Sequence, residues 1–170
     1  MNDLLSWLEP FWDREEFYSI DLYGDELAQP IENFIPIYRK AKDCGFRLKA
    51  HIGEWGTAED VVQGVELLLL DEVQHGIAAA SSKEAVHYLR ENKIRVNVTP
   101  SSNVFLGRVQ EMAVHPIAKL YREGVDVTIN SDDVLIFGSD VSKEYLSLYQ
   151  NNVLSAEELN DIRLNGLKKI

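Results

Sequence analysis

The sequence predicts an α/β fold built on a parallel sheet of about five strands, and three observations carry that expectation. Short β-branched runs alternate with longer amphipathic stretches along most of the chain, the rhythm of βαβ units. The amphipathic stretches open on capping residues or stop at glycine, as helices do. The polar and titratable residues gather where the runs end, at the sheet edge where parallel α/β folds bind ligands.

Taken in order, residues 1–17 place apolar side chains at helical spacing, and Trp7, Leu8, Phe11 and Trp12 form a face expected to pack on the sheet layer. FYSIDL (17–22) reads as the first strand. A helix follows over 30–45, with Ile31, Phe34, Ile35, Tyr38 and Ala41 on one face and Gly45 as its stop; Cys44 is a small helix-end residue. RLKAHI (47–52) is the second strand. Thr57, with Asp60 three residues on, caps a helix over 57–69. EVQHGIAA (72–79) reads as a third strand, and Ser81 or Ser82 caps a helix to residue 92. IRVNVTP (94–100) is the fourth strand. Pro116 and Gly124 bracket a helix over 115–124, VDVTIN (125–130) is the fifth strand, and helices over 142–151 and 155–169 close the chain, the second with Ser155 and Glu158 as a capping box. The strand starts read as apolar on both faces, which predicts a sheet covered on both sides.

Bulk composition narrows the function. The chain has 170 residues, 45% hydrophobic and 26% charged, enough for a single domain over 1–170 with its own core. A formal net charge of −11 with no basic patch excludes nucleic acid as a partner. The apolar run VELLLLDEV is too short to span a bilayer, residues 1–17 lack the pattern of a signal peptide, and one cysteine excludes an internal disulfide, so a cytoplasmic protein is expected.

The polar ends of the runs are Asp21 with Gly24, Asp25 and Glu26; His51 and Glu54; His75 and Gly76; Ser101, Ser102 and Asn103; and Asn130 to Asp133. Histidine and aspartate suit zinc, a second histidine can handle the proton of a water, and a carboxylic acid can protonate a ring nitrogen. His87, mid-helix, reads as solvent-facing, and His115, before Pro116, as a helix-entry residue. Ser102 and Asn103 read as turn formers.

In this order the stretches DLYGDE (21–26), HIGE (51–54), QHG (74–76), PSSN (100–103), HPI (115–117) and NSDD (130–133) resemble the adenosine deaminase family of metal-dependent amidohydrolases. The resemblance implies a partial TIM (β/α)₈ barrel, with the five strands standing for barrel strands four to eight. It implies zinc held by His51 and Asp132, Glu54 protonating a purine at N1, His75 orienting and deprotonating the attacking water, Asp133 binding purine N7 and the Gly24 backbone meeting N3. The product would be inosine and ammonia from adenosine, or the equivalent from a related 6-aminopurine nucleoside or base. Three departures stand beside it. The His-x-His pair that the family uses for two further ligands is absent from these residues. Ile52 replaces the alanine of the family's HAGE, which predicts more bulk near the site, and Val134 replaces a proline, which predicts a looser loop. The absent pair also raises a second reading, an inactive part of a deaminase acting as a homo-oligomer or beside a partner chain that completes the barrel.

Overall fold

The computed structural model describes residues 2–168; Met1, Ile170 and Lys169, the expected end of the last helix, lie outside them. Five strands form one sheet: β1 (Ser19–Leu22), β2 (Arg47–Ile52), β3 (Glu72–His75), β4 (Arg95–Val98) and β5 (Asp126–Ile129). Each pairs in parallel with its sequence neighbours in the order β1-β2-β3-β4-β5, the topology of consecutive barrel strands. All five strand ends therefore lie at one edge.

Helices between the strands follow the expected boundaries closely where a cap sets them. Helix α1 spans Asn2–Leu8 and α2 spans Ile35–Asp43; α2 is preceded by a 3-10 turn at Ile31–Phe34, because Pro36 leaves the start of the amphipathic run without a regular first turn. Helix α3 (Ala58–Leu68) has the Thr57–Asp60 capping box, and α4 (Lys83–Glu91) is capped by Ser82. The third strand stops at His75, and Ile77–Ser81 is a 3-10 helix rather than strand, because His75 and Gly76 both take positive φ (62° and 60°) and turn the chain. Helix α5 (Pro100–Phe105) lies where turn formers were expected; six residues give too short a periodic signal to read, and the buried Glu144 accepts from Ser101 N–H at its first turn (2.9 Å). Helices α6 (Ile117–Arg122), α7 (Val134–Phe137), α8 (Val141–Gln150) and α9 (Ala156–Gly166) complete the chain, and α9 carries the Ser155–Glu158 capping box.

The sheet is apolar on one face only, which corrects the expectation of strands apolar on both faces; the charged face is covered in part, where the end of α9 meets Arg95 and Thr128. Leu48, Ala50, Ile52, Val73, Val96 and Val127 are buried in the helix-covered core. The opposite face carries Lys49, Glu72, Arg95 and Asp126 in direct cross-strand register, a ladder of alternating charge. Glu72 binds Arg47 (3.0 Å) and Lys49 (3.6 Å), and Arg95 binds Asp126 (3.1 Å). Pairing within the sheet satisfies much of this face, and α9 adds to it where Arg95 Nη2 donates to the Asn165 carbonyl (3.2 Å). At the other end of the chain, Trp12 is buried edge-on to Phe46 (centroids 5.7 Å apart), whereas Trp7 is 73% exposed; the expected packing face is only partly used, because Pro10 breaks the helix into α1 and a 3-10 turn.

Candidate active site

The strand ends bring four of the expected residues to one place. Glu54, His75 and Asp132 each offer an atom within 4.8 Å of the other two, and the His51 ring lies 5.3 Å from the His75 ring between centroids. Backbone chemistry puts them there. Gly53 has φ +77°, and a Cβ on it would stand 2.3 Å from Val61 Cγ2, so only glycine lets β2 turn against α3 and present Glu54. Glu26 locks that turn: its carboxylate accepts from the backbone N–H groups of Gly53, Glu54 (3.1 Å) and Trp55 (2.8 Å). It was visible in the DLYGDE stretch, as an acidic residue with no assigned task.

His51 is held from behind. Its Nδ1 faces Asp21 Oδ1 (3.1 Å) and the Leu22 carbonyl (3.2 Å), and Gln74 steadies Asp21 through its other oxygen (2.8 Å). Both neighbours of Nδ1 are acceptors, so Nδ1 carries the proton and Nε2 keeps the lone pair a metal needs. Burial works against the charged ring, but the bonds to Asp21 and Leu22 and the charge of Asp132 outweigh it and leave His51 above the ordinary histidine value.

Glu54 and His75 are tuned in the opposite sense. Burial, then the charge of Asp132, pushes the Glu54 carboxyl up, while its Oε2 accepts from Trp55 Nε1 (3.0 Å) and its buried Oε1 has no hydrogen bond. Burial, then the neighbouring His51, holds His75 down to about 4, so it is neutral near pH 7. Its Nδ1 meets Thr99 Oγ1 (3.0 Å) and Asn103 Nδ2 (3.4 Å), which places the PSSN stretch behind the site rather than in a surface turn.

Among the described residues, the site carboxylates face histidines rather than lysine or arginine: Asp21 lies against His51 (3.1 Å) and Glu54 against His75 (3.5 Å). An acidic cluster without lysine or arginine partners, beside an imidazole with a free Nε2, fits a divalent cation. Next to it lies a cavity of about 710 Å³, whose wall includes Gly24, Glu26, His51 and Gln63. Gly24 is thus in the cavity wall. Asp133 is not gathered with the others; it is exposed at the start of α7, and its N–H donates to Asp132 Oδ1 (2.9 Å). Ile52 turns into the space left by Gly64 of α3 while also bordering the cavity, and Val134 begins the turn of α7 instead of a loose loop.

With this geometry in view, the adenosine deaminase family model matches residues 5–170. The chain belongs to the adenosine deaminase family. A Treponema pallidum protein named as an adenosine/adenine deaminase is 40% identical over 160 residues, covering 92% of this chain and 54% of that protein. An adenine deaminase of Vibrio parahaemolyticus is 34% identical, with 91% and 46% covered. Among solved structures, adenine deaminase from Arthrobacter aurescens superposes with a TM-score of 0.88 at 28% identity, covering 96% of this chain and 49% of that one. A zinc-bound amidohydrolase from Burkholderia ambifaria gives 0.85 at 26% identity, covering 96% and 46%. The chain spans about half the length of the curated relatives it matches, and its five strands with their helices are the corresponding part of a deaminase TIM barrel.

Proposed function

We propose that this chain contributes the purine-activating half of a zinc-dependent deaminase site that replaces the 6-amino group of adenosine, adenine or a related 6-aminopurine with oxygen and releases ammonia. The observation that carries the reading is Glu54: a partly buried carboxyl whose Oε1 is buried without a hydrogen bond and whose proton affinity is raised, beside His75 and Asp132. Deamination needs a group that protonates the ring while water adds at carbon 6, and a carboxyl whose proton affinity is raised by burial is suited to it. His51 and Asp132 would hold the metal, which when bound supplies a Lewis acid and lowers the pKa of water to about 7. Asp21 and Gln74 orient His51, His75 orients the water, and Gly24 offers backbone at the cavity. Asp133 would meet the purine only after its side chain turns inward from the surface. A companion segment or chain carrying further strands would complete the ligand set and the barrel.

Ammonia release from adenine and from adenosine, with zinc content measured on the same preparation, tests this. Zinc near one per chain that is lost in Asp132→Ala, with activity lost in Glu54→Gln at unchanged zinc, is the expected result. Neither zinc nor ammonia release, even with the companion segment supplied, supports the second reading of an inactive part.

A further inference from the structure

Behind His75 lies a buried polar network that the expected roles leave unused. His75, Thr99, Ser102, Asn103 and His115 are all 8% exposed or less, and Asn103 is fully buried. A wholly buried polar cluster persists only if its donors and acceptors match. Here one assignment satisfies the contacts of both rings.

The Ile117 backbone N–H donates to His115 Nδ1 (3.2 Å). A backbone N–H has no choice of role, so His115 Nδ1 is an acceptor and, in the neutral ring, Nε2 carries the hydrogen. Burial holds His115 neutral, down to about 4. Its Nε2–H therefore donates to the Asn103 oxygen (3.3 Å). With the amide turned this way, Asn103 Nδ2 is the atom that faces His75 Nδ1 (3.4 Å). The flipped amide would set a donor against the Nε2–H of His115. Thr99 agrees: its Oγ1 can accept from Ser102 Oγ (2.9 Å) and is then free to donate to the same His75 nitrogen (3.0 Å). Glu54 Oε1, the remaining neighbour, stands farther off at 3.5 Å.

We infer that Asn103, aligned by His115 and aided by Thr99, is a positioning residue that fixes the proton of His75 on Nε2 and orients its ring. His75 then offers the reaction a donor N–H, so that it orients the attacking water rather than taking its proton at that nitrogen. This consequence rests on the function proposed above; the tautomer itself does not.

The test is two-bond proton–nitrogen NMR of the full chain with ¹⁵N-labelled histidine near pH 7, before and after zinc addition, the His75 ring being assigned by its loss in His75→Gln. The expected wild-type spectrum has Nε2 protonated and Nδ1 bare. Asn103→Asp replaces the donor with an acceptor and is expected to move the proton toward Nδ1. His115→Leu frees the amide to flip and is expected to give a mixture of the two forms. In a preparation active as a deaminase, both variants should lower kcat about 10–100-fold with KM little changed. A wild-type ring with its proton on Nδ1 overturns the inference, and this result needs neither Asn103→Asp nor His115→Leu to fold. A tautomer unmoved in both variants overturns the role of Asn103. Wild-type Nε2–H that shifts in Asn103→Asp, in a chain without deaminase activity, supports the inference while the proposed function fails.

Discussion

Glu26 shows how one side chain holds a site it does not chemically join. Its carboxylate satisfies three consecutive backbone N–H groups at residues 53–55, and each would otherwise be left without that acceptor at the strand end. Glu26→Ala is expected to destabilise the chain by about 3 kcal/mol in urea unfolding, since hydrogen bonds to a charged acceptor contribute roughly 1.5–3 kcal/mol each and water recovers part of the loss. It should also lower activity, because Glu54 sits in the released turn. His115 gives a pH signature. The folded chain holds it near 4 against 6.5 for the free side chain, so folding excludes its proton. Its contribution is fully present above about pH 6.5 and falls away by about 3 kcal/mol as pH drops to 4. The stability difference between wild type and His115→Gln, followed by denaturant titration from pH 7 to 4, should narrow or reverse over that window. A difference that stays constant with pH would show that His115 is not buried neutral.

Among elements, the turn from β2 to α3 is the most sharply constrained. Gly53→Ala meets both a positive φ and Val61 Cγ2 at 2.3 Å, and is expected to cost about 2–4 kcal/mol. The double variant Gly53→Ala/Val61→Ala removes the clash but not the backbone strain, so thermal unfolding should show partial rescue of the clash against the Val61→Ala background. Full additivity of the two changes would place Val61 outside the constraint. The helices with real caps were readable because Thr57, Ser82 and Ser155 each bond an N–H three residues on, a local event that needs no tertiary partner. The short helices α5 and α7 were not. Six and four residues carry no usable period, and α5 takes its support from Glu144, more than forty residues away.

At the scale of the molecule, β1 has an unpaired outer edge among the described residues, with Tyr18 (78% exposed) and Tyr23 (81% exposed) beside it. An open parallel edge flanked by exposed aromatics favours association. The sedimentation coefficient of the chain is expected to rise with concentration over the micromolar range, and Tyr18→Lys should weaken the rise. A monomer at every concentration would assign the edge to a covalently attached or separate companion segment instead. Among the described residues no helix is long and apolar enough to cross a membrane.

The sequence by itself determined the order of strands and helices, the edge at which the polar residues meet, and the family, because all three are written in local period, caps and ordered short motifs. Tertiary structure alone decided how those residues act. Asp21 holds the Nδ1–H of His51, Glu26 sets the turn that carries Glu54, and Asn103 with His115 lies buried behind His75 rather than in a surface turn. The charge ladder on one sheet face was likewise invisible in the strands, since a charge at a strand position looks the same whether a water or the opposite charge on the next strand meets it. Lys49, Glu72, Arg95 and Asp126 are far apart in the chain, and only the parallel register puts them side by side.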